Sequence, residues 1–173
     1  WNEVVEINNW HQHRISRLIT KKLFGTLSRK KIVILGFAFK ANTNDTRESA
    51  AIKICNDLLE EGATLLIHDP KVSLEQIKKD LNLDRFSDSE KNDDSKNYFN
   101  EGKWTKKNDL KEIFDDSDAV VILTEWDEYS KLNWELISNQ MRSPGWVFDA
   151  RSIIEPNQVL KYGINFWRIG DGS

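Results

Sequence analysis

The chain has 173 residues, 39% hydrophobic and 31% charged, with a formal net charge of −3, 8 glycines, 3 prolines and one cysteine. That size suits one domain with at most an appended element, and a single cysteine rules out an internal disulfide framework or a cysteine-based zinc site while fitting a reducing, cytoplasmic compartment. The charge balance disfavours nucleic acid or an anionic membrane as partner, and no apolar run approaches the roughly 18–20 residues of a membrane span.

Residues 1–24 place Val4, Ile7, Trp10, Ile15, Leu18, Ile19 and Leu23 at near-helical spacing, with His, Arg and Lys on the other face. No capping residue precedes this helix, and the chain starts at Trp1 in mid-pattern, so it reads as a piece of a longer protein. Gly25 closes the helix. Residues 31–36 (KIVILG) form a continuous β-branched apolar run, the pattern of a strand buried on both faces. A loop, FAFKANTNDTRES, leads to a helix over 49–62 and a second strand, Thr64 to His68, stopped by Asp69-Pro70. This strand–helix–strand unit implies a parallel pair with a right-handed crossover.

Ser73 to Leu83 predicts a helix, and residues 84–108 a polar surface insertion, partly disordered. Short patterns then predict a helix over 109–114, a buried strand over 119–124 and a helix over 133–141. A strand over 145–149, a helix start over 156–162 and a closing strand over 164–169 complete the chain. Strands alternate with helices throughout, which predicts an α/β fold: an open, doubly wound, mostly parallel Rossmann-like sheet preceded by a long N-terminal helix.

Open parallel sheets bind ligands beyond the carboxyl ends of their strands. Phe39, Lys40 and Arg47 follow the first strand, His68 and Asp69 the second; Thr124, Glu125 and Trp126 follow the run AVVILT, and Arg151 follows GWVFD. Arginine offers a planar fork for phosphate or carboxylate and lysine a point charge, while Phe39 or Trp126 could wall a base or sugar. The same cations can equally be loop charges paired with Asp45, Glu48, Glu125 and Asp149.

The first strand ends in one glycine, so the G-x-G-x-x-G dinucleotide fingerprint is absent, as is a G-x-x-x-x-G-K-[ST] phosphate loop. Cys55 sits in an apolar helical pattern and reads as a buried structural thiol. His11 and His13, two apart on a helix, do not face each other, so no metal pair is expected there. The residues alone assemble no catalytic constellation.

LGFAFKANTNDTRES resembles the segment G-x-A-F-K-x-x-T-x-D-x-R-E-S of the UDP-glucose/GDP-mannose dehydrogenase family, in its C-terminal nucleotide-sugar-binding domain. IHDPKV resembles the family's Y-D-P-x-V turn, TEWDEY the T-E-W-D-x-F/Y segment of its UDP-glucose-oxidising members, and Phe148-Asp149-Ala150-Arg151 its D-G/A-R. The resemblance covers about Lys31 to Ile169 and implies a parent enzyme that oxidises UDP-glucose to UDP-glucuronate with two NAD⁺ through a cysteine-linked intermediate. It further implies that Phe39, Lys40 and Arg151 contact the UDP-sugar and that Arg47 reaches NAD⁺ held by another domain. Residues 1–27 would end a central, subunit-pairing helical region of a homo-oligomer, and residues 28–173 would form the UDP-sugar-binding domain. In the family, the catalytic cysteine and glycine-rich NAD loop lie upstream of the matching region. No catalytic residue is therefore expected in this chain, and Cys55 does not occupy the nucleophile's place. A doubly wound interaction module without a small-molecule site is the alternative.

Overall fold

The apolar run Lys31–Leu35 is the central strand β1, and its last four residues are buried, as both faces of a parallel strand must be. The computed structural model describes residues 2–81 and 102–171. Helix α1 (Asn2–Lys22) precedes β1, and helix α2 (Ala50–Glu60) carries the chain to β2 (Thr64–His68). Then follow α3 (Leu74–Asp80), β3 (Lys103–Lys106), β4 (Ala119–Ile122), α4 (Asp127–Ser130), α5 (Trp134–Gln140), β5 (Trp146–Asp149), α6 (Pro156–Leu160) and β6 (Asn165–Arg168).

Serine or asparagine caps set three helix starts. The side chains of Ser49, Ser73 and Asn133 accept from the backbone N–H groups of Ala51, Gln76 and Leu136. Ile19 and Leu23 bury the C-terminal half of α1, and Asp57 of α2 takes His13 Nδ1 at 2.9 Å and the Ser16 hydroxyl at 2.6 Å. Beyond that anchor Val4, Ile7 and Trp10 are exposed.

The six strands form one sheet in the order β3-β2-β1-β4-β5-β6, every neighbour parallel. This is the order of a dinucleotide-type Rossmann sheet, and its winding reverses between β1 and β4. Ile32 to Leu35, Val120 to Ile122, Val147 and Phe148 fill the centre of the core.

Besides the short helix α4, which the sequence reading did not include, two segments depart from the sequence expectation. Most of the insertion expected at 84–108 lies outside the described residues, but its end, Lys103–Lys106, is an edge strand rather than loop. One buried side chain, Trp104, anchors it beside β2. Gly102 brings it in closely, since a Cβ there would strike the backbone of Leu59. The helix expected at 109–114 is a run of bends and turns. Ile113 and Phe114 are buried there without a helix, and the Ser117 hydroxyl closes the turn by donating to Phe114 O at 2.8 Å.

Candidate functional site

Where β1 ends, Gly36 adopts φ +95° and lies so close to Thr124, just past β4, that any Cβ would clash with the threonine. The Thr124 hydroxyl donates to Ala38 O at 2.8 Å, locking the two strand ends together at the switch point. Phe37 and Ala38 are buried, and Phe39 and Lys40 emerge into solvent, Phe39 being 48% exposed. The loop then folds back. Phe39 N–H donates to Asp45 O at 2.8 Å, and the Ser49 hydroxyl donates to Phe37 O at 2.8 Å.

Two buried carboxylates hold the loops. Asp69 Oδ2, beyond β2, accepts from Phe37 N–H at 2.8 Å, Ala38 N–H at 2.9 Å and the Trp126 indole N–H at 3.2 Å. Its Oδ1 accepts from Lys71 and Val72 N–H at 2.9 and 3.0 Å. Asp149, fully buried at the end of β5, accepts from Arg151, Ile153 and Ile154 N–H at 3.0, 2.8 and 2.8 Å. Buried carboxylates surrounded by amides in this way exchange lost hydration for directed hydrogen bonds.

A third carboxylate joins the loops. Glu125, after β4, accepts from Ala41 N–H at 3.2 Å and pairs through Oε2 with the Arg151 guanidinium. Partial burial by itself would raise the Glu125 carboxyl, but backbone N–H donors, Ala41 among them, and Arg151 outweigh it and hold it below its ordinary value. The Phe39–Ala41 segment and Arg151 thus meet on one side chain. Arg47 stands apart: its guanidinium forks onto Asp45 at 3.0 and 2.8 Å and drives that carboxyl down to about 2.

Of the positions singled out in the sequence, Phe39, Lys40 and Arg151 therefore lie around the switch point, with Arg47 on the far limb of the same loop. Trp126 is not a ligand wall, because it is buried and its indole is committed to Asp69. His68 is likewise internal: Nδ1 lies 2.9 Å from the Tyr129 hydroxyl, which donates to His68 O at 3.0 Å, and burial lowers the imidazole pKa. Cys55 is buried in α2, and burial pushes its thiol far above the ordinary range, the opposite of an activated nucleophile. Asp69, Asp149 and Glu125 are the parts that sequence reasoning gave no site role. The signal was an acidic residue ending or following each site strand.

The residues present do not fit a dinucleotide site of their own. The Gly36 amide is spent on His68 O, and the Phe37 and Ala38 amides that would face a pyrophosphate are already spent on Asp69. Among the described residues no cluster of His, Cys, Asp or Glu could hold a metal ion, and no helix is long and apolar enough to cross a membrane.

Residues 33–156 match the model of the UDP-glucose/GDP-mannose dehydrogenase family, UDP binding domain. The chain belongs to that family. A UDP-glucose 6-dehydrogenase of Drosophila melanogaster is 39% identical over 177 residues, covering 98% of this chain and 34% of the relative. UDP-glucose 6-dehydrogenase 4 of Arabidopsis thaliana is 37% identical over 171 residues, covering 98% of this chain and 36% of its own. The chain thus spans about a third of the length of these family members. Among solved structures, a UDP-glucose dehydrogenase from Pyrobaculum islandicum superposes with a TM-score of 0.64 at 23% identity, over 94% of this chain and 30% of that one. An NDP-N-acetyl-D-galactosaminuronic acid dehydrogenase from Methanosarcina mazei Go1 gives 0.67 at 20% identity, over 94% and 29%. These likenesses carry the Rossmann-type fold, which agrees with the expected open parallel sheet.

Proposed function

We propose that this chain is the nucleotide-sugar-binding part of a UDP-glucose 6-dehydrogenase, an enzyme that converts UDP-glucose to UDP-glucuronate. The observation that carries the reading is the meeting of the Phe39–Ala41 limb and Arg151 on Glu125, beside the switch point of the sheet. The names of the most similar relatives support the same substrate.

In this reading Phe39 lays an exposed aromatic face against the nucleotide sugar, Lys40 supplies a point charge, and Arg151 a guanidinium fork for phosphate or sugar hydroxyls. Glu125 orients Arg151 beforehand, so less freedom is lost on binding. NAD⁺, held by a portion of the enzyme outside this chain, accepts the hydrides. Arg47 reaches toward it from the loop edge, its side chain 88% exposed. Residues 1–27 end a central helical region through which the enzyme pairs as a homo-oligomer. The exposed Val4, Ile7 and Trp10 on α1 suit such packing. The enzyme works in the cytoplasm, and Cys55 takes no part in its chemistry.

The test is calorimetric titration of the chain with UDP-glucose, with GDP-mannose and NAD⁺ as controls. Saturable heat with UDP-glucose alone, lost in Arg151→Ala, is the expected result. Binding of none of the three would mean that the chain lacks a preformed nucleotide-sugar site and is an interaction module or scaffold.

A further inference from the structure

In a dinucleotide-binding Rossmann sheet, the amides after β1 cradle a pyrophosphate, and the carboxylate ending β2 takes a ribose hydroxyl. Here these two elements are used on each other. We propose that Asp69 is an internal anion that fills the amide cradle after β1, closing the switch point to a dinucleotide and fixing the direction of the Phe39–Lys40 limb.

Phe37 and Ala38 N–H converge on the same oxygen, Oδ2, at 2.8 and 2.9 Å, and the Trp126 indole N–H reaches it at 3.2 Å. Two consecutive amides and a third donor aimed at one point are what a ligand's anionic oxygen would meet. Asp69 is 2% exposed, Phe37 0% and Ala38 1%, so no external phosphate can share the place. The second oxygen is fully used as well, by Lys71 and Val72 N–H. One carboxylate therefore ties together the loops after β1, β2 and β4. The chain leaves that knot at the turn at Lys71, at Asp127 and at the solvent-facing pair Phe39 and Lys40. A single glycine suffices in this loop because the anion comes from within on a thin side chain. A dinucleotide needs further glycines so that its pyrophosphate can approach.

Asp69 is thus a positioning residue: it touches no substrate and acts through the loop it holds. Its effect on the Phe39–Lys40 limb rests on the nucleotide-sugar reading given above, whereas the filled cradle does not. Substituting Asp69→Ala vacates a space the size of a formate ion, lined by five N–H donors, three on one oxygen position and two on the other.

The experiment compares the unsubstituted chain with Asp69→Ala, Asp69→Asn and a control, Val159→Ala, which perturbs the buried face of α6 instead. Amide signals of Phe37 and Ala38 are followed by NMR, and UDP-glucose affinity by calorimetry, in chloride and in formate at equal ionic strength. Losing one well-placed contact from a charged group costs roughly ten- to a hundredfold, so Asp69→Ala should lose about that much affinity if the Lys40 limb is misplaced. Formate should restore both the affinity and the two amide positions, while inorganic phosphate, too large for the space, should not. Val159→Ala should lower the melting temperature with unchanged affinity.

Should Asp69→Ala not fold, Asp69→Asn serves, because its NH₂ must face one set of donors and shift their amide signals. Unmoved Phe37 and Ala38 signals in both variants, or no recovery with formate, would overturn the internal anion. Restored amides without restored affinity would overturn the positioning role. If the unsubstituted chain binds no UDP-glucose, the nucleotide-sugar reading fails on this chain, and the amide signals still decide the cradle.

Discussion

Arg151, two residues past β5, is paired with Glu125, three residues past β4, across the neighbouring carboxyl ends of two adjacent parallel strands. The pair is poised rather than inert, since the Arg151 side chain remains 37% exposed and Glu125 also receives Ala41 N–H from the loop bearing Lys40. On the proposed nucleotide-sugar reading, Arg151→Ala should remove a charged donor from the ligand and release Glu125 as well. A hydrogen bond to a charged group contributes about 1.5–3 kcal/mol, or roughly ten- to a hundredfold in UDP-glucose affinity. Arg151→Lys should recover only part of this, because an ammonium cannot reproduce the fork. Calorimetric titration of both variants gives the comparison.

The same pair predicts an acid-side signature. Glu125 is held below its ordinary value of 4.5 in the folded chain. Its contribution to stability is therefore complete above that value and is lost as pH falls through the folded pKa. Melting curves of the unsubstituted chain and Arg151→Ala should differ most near neutrality and converge as pH drops through the carboxylate range. A gap that widens on acidification would mean that Arg151 acts other than by stabilising the Glu125 carboxylate.

Arg47 and Asp45 form an exposed two-pronged pair two residues apart, and Asp45 is held at about 2 chiefly by that guanidinium. In Arg47→Ala, the Asp45 carboxyl should rise from about 2 toward its ordinary 3.8 but stay below it, because the backbone N–H of residue 47 still donates to Oδ1, as carboxylate NMR would show. Because Arg47 makes no contact with the Glu125–Arg151 pair, UDP-glucose affinity should stay within about twofold, a change under 0.5 kcal/mol. Loss of UDP-glucose binding in this variant would place Arg47 in the sugar site rather than beside NAD⁺.

The legible parts of the fold are those whose signal is local. β1, β2 and β4 are continuous apolar runs, and nearly every residue in them is buried. β3 is invisible by that rule because K-W-T-K offers one core side chain. Its strand state comes from pairing with β2 and from the close pass of Gly102 over Leu59. The segment 109–114 has three apolar residues at helical spacing, Leu110, Ile113 and Phe114, but a turn buries Ile113 and Phe114 equally well. In the site, exposed Phe39, Lys40 and Arg151 were findable by position after a strand. The role of Asp69 depends on the distant amides of Phe37 and Ala38, and that of Asp149 on how the following loop folds back onto it; side-chain type alone carries neither.

Cys55 tests the claim that the only thiol of the chain is structural. It is fully buried among Ala51, Ile54, Leu58 and Leu59 of α2, and burial keeps its thiol protonated. A disulfide reagent should leave it untouched until the chain unfolds. Cys55→Ser should cost about 1–3 kcal/mol, as a hydroxyl is placed in an apolar site, while UDP-glucose affinity is unchanged. Rapid labelling of the native chain would contradict the burial.

Gly36→Ala should cost heavily for a single methyl group. The residue sits at φ +95°, where a side chain is strained, and the added Cβ would strike Thr124 side-chain and backbone atoms. Neither neighbour can easily retreat: Gly36 N–H donates to His68 O at 2.8 Å, and the Thr124 hydroxyl is engaged with Ala38 O. Backbone strain of about 1–3 kcal/mol and overpacking of a similar size should add, because both fall on the same rigid junction. Chemical denaturation should show a drop of roughly 2–6 kcal/mol, with the Phe37 and Ala38 amide signals displaced in whatever fraction stays folded. A loss below about 1 kcal/mol would mean that β1 and β4 separate easily at their carboxyl ends, and the switch point would then be a hinge instead of a fixed frame.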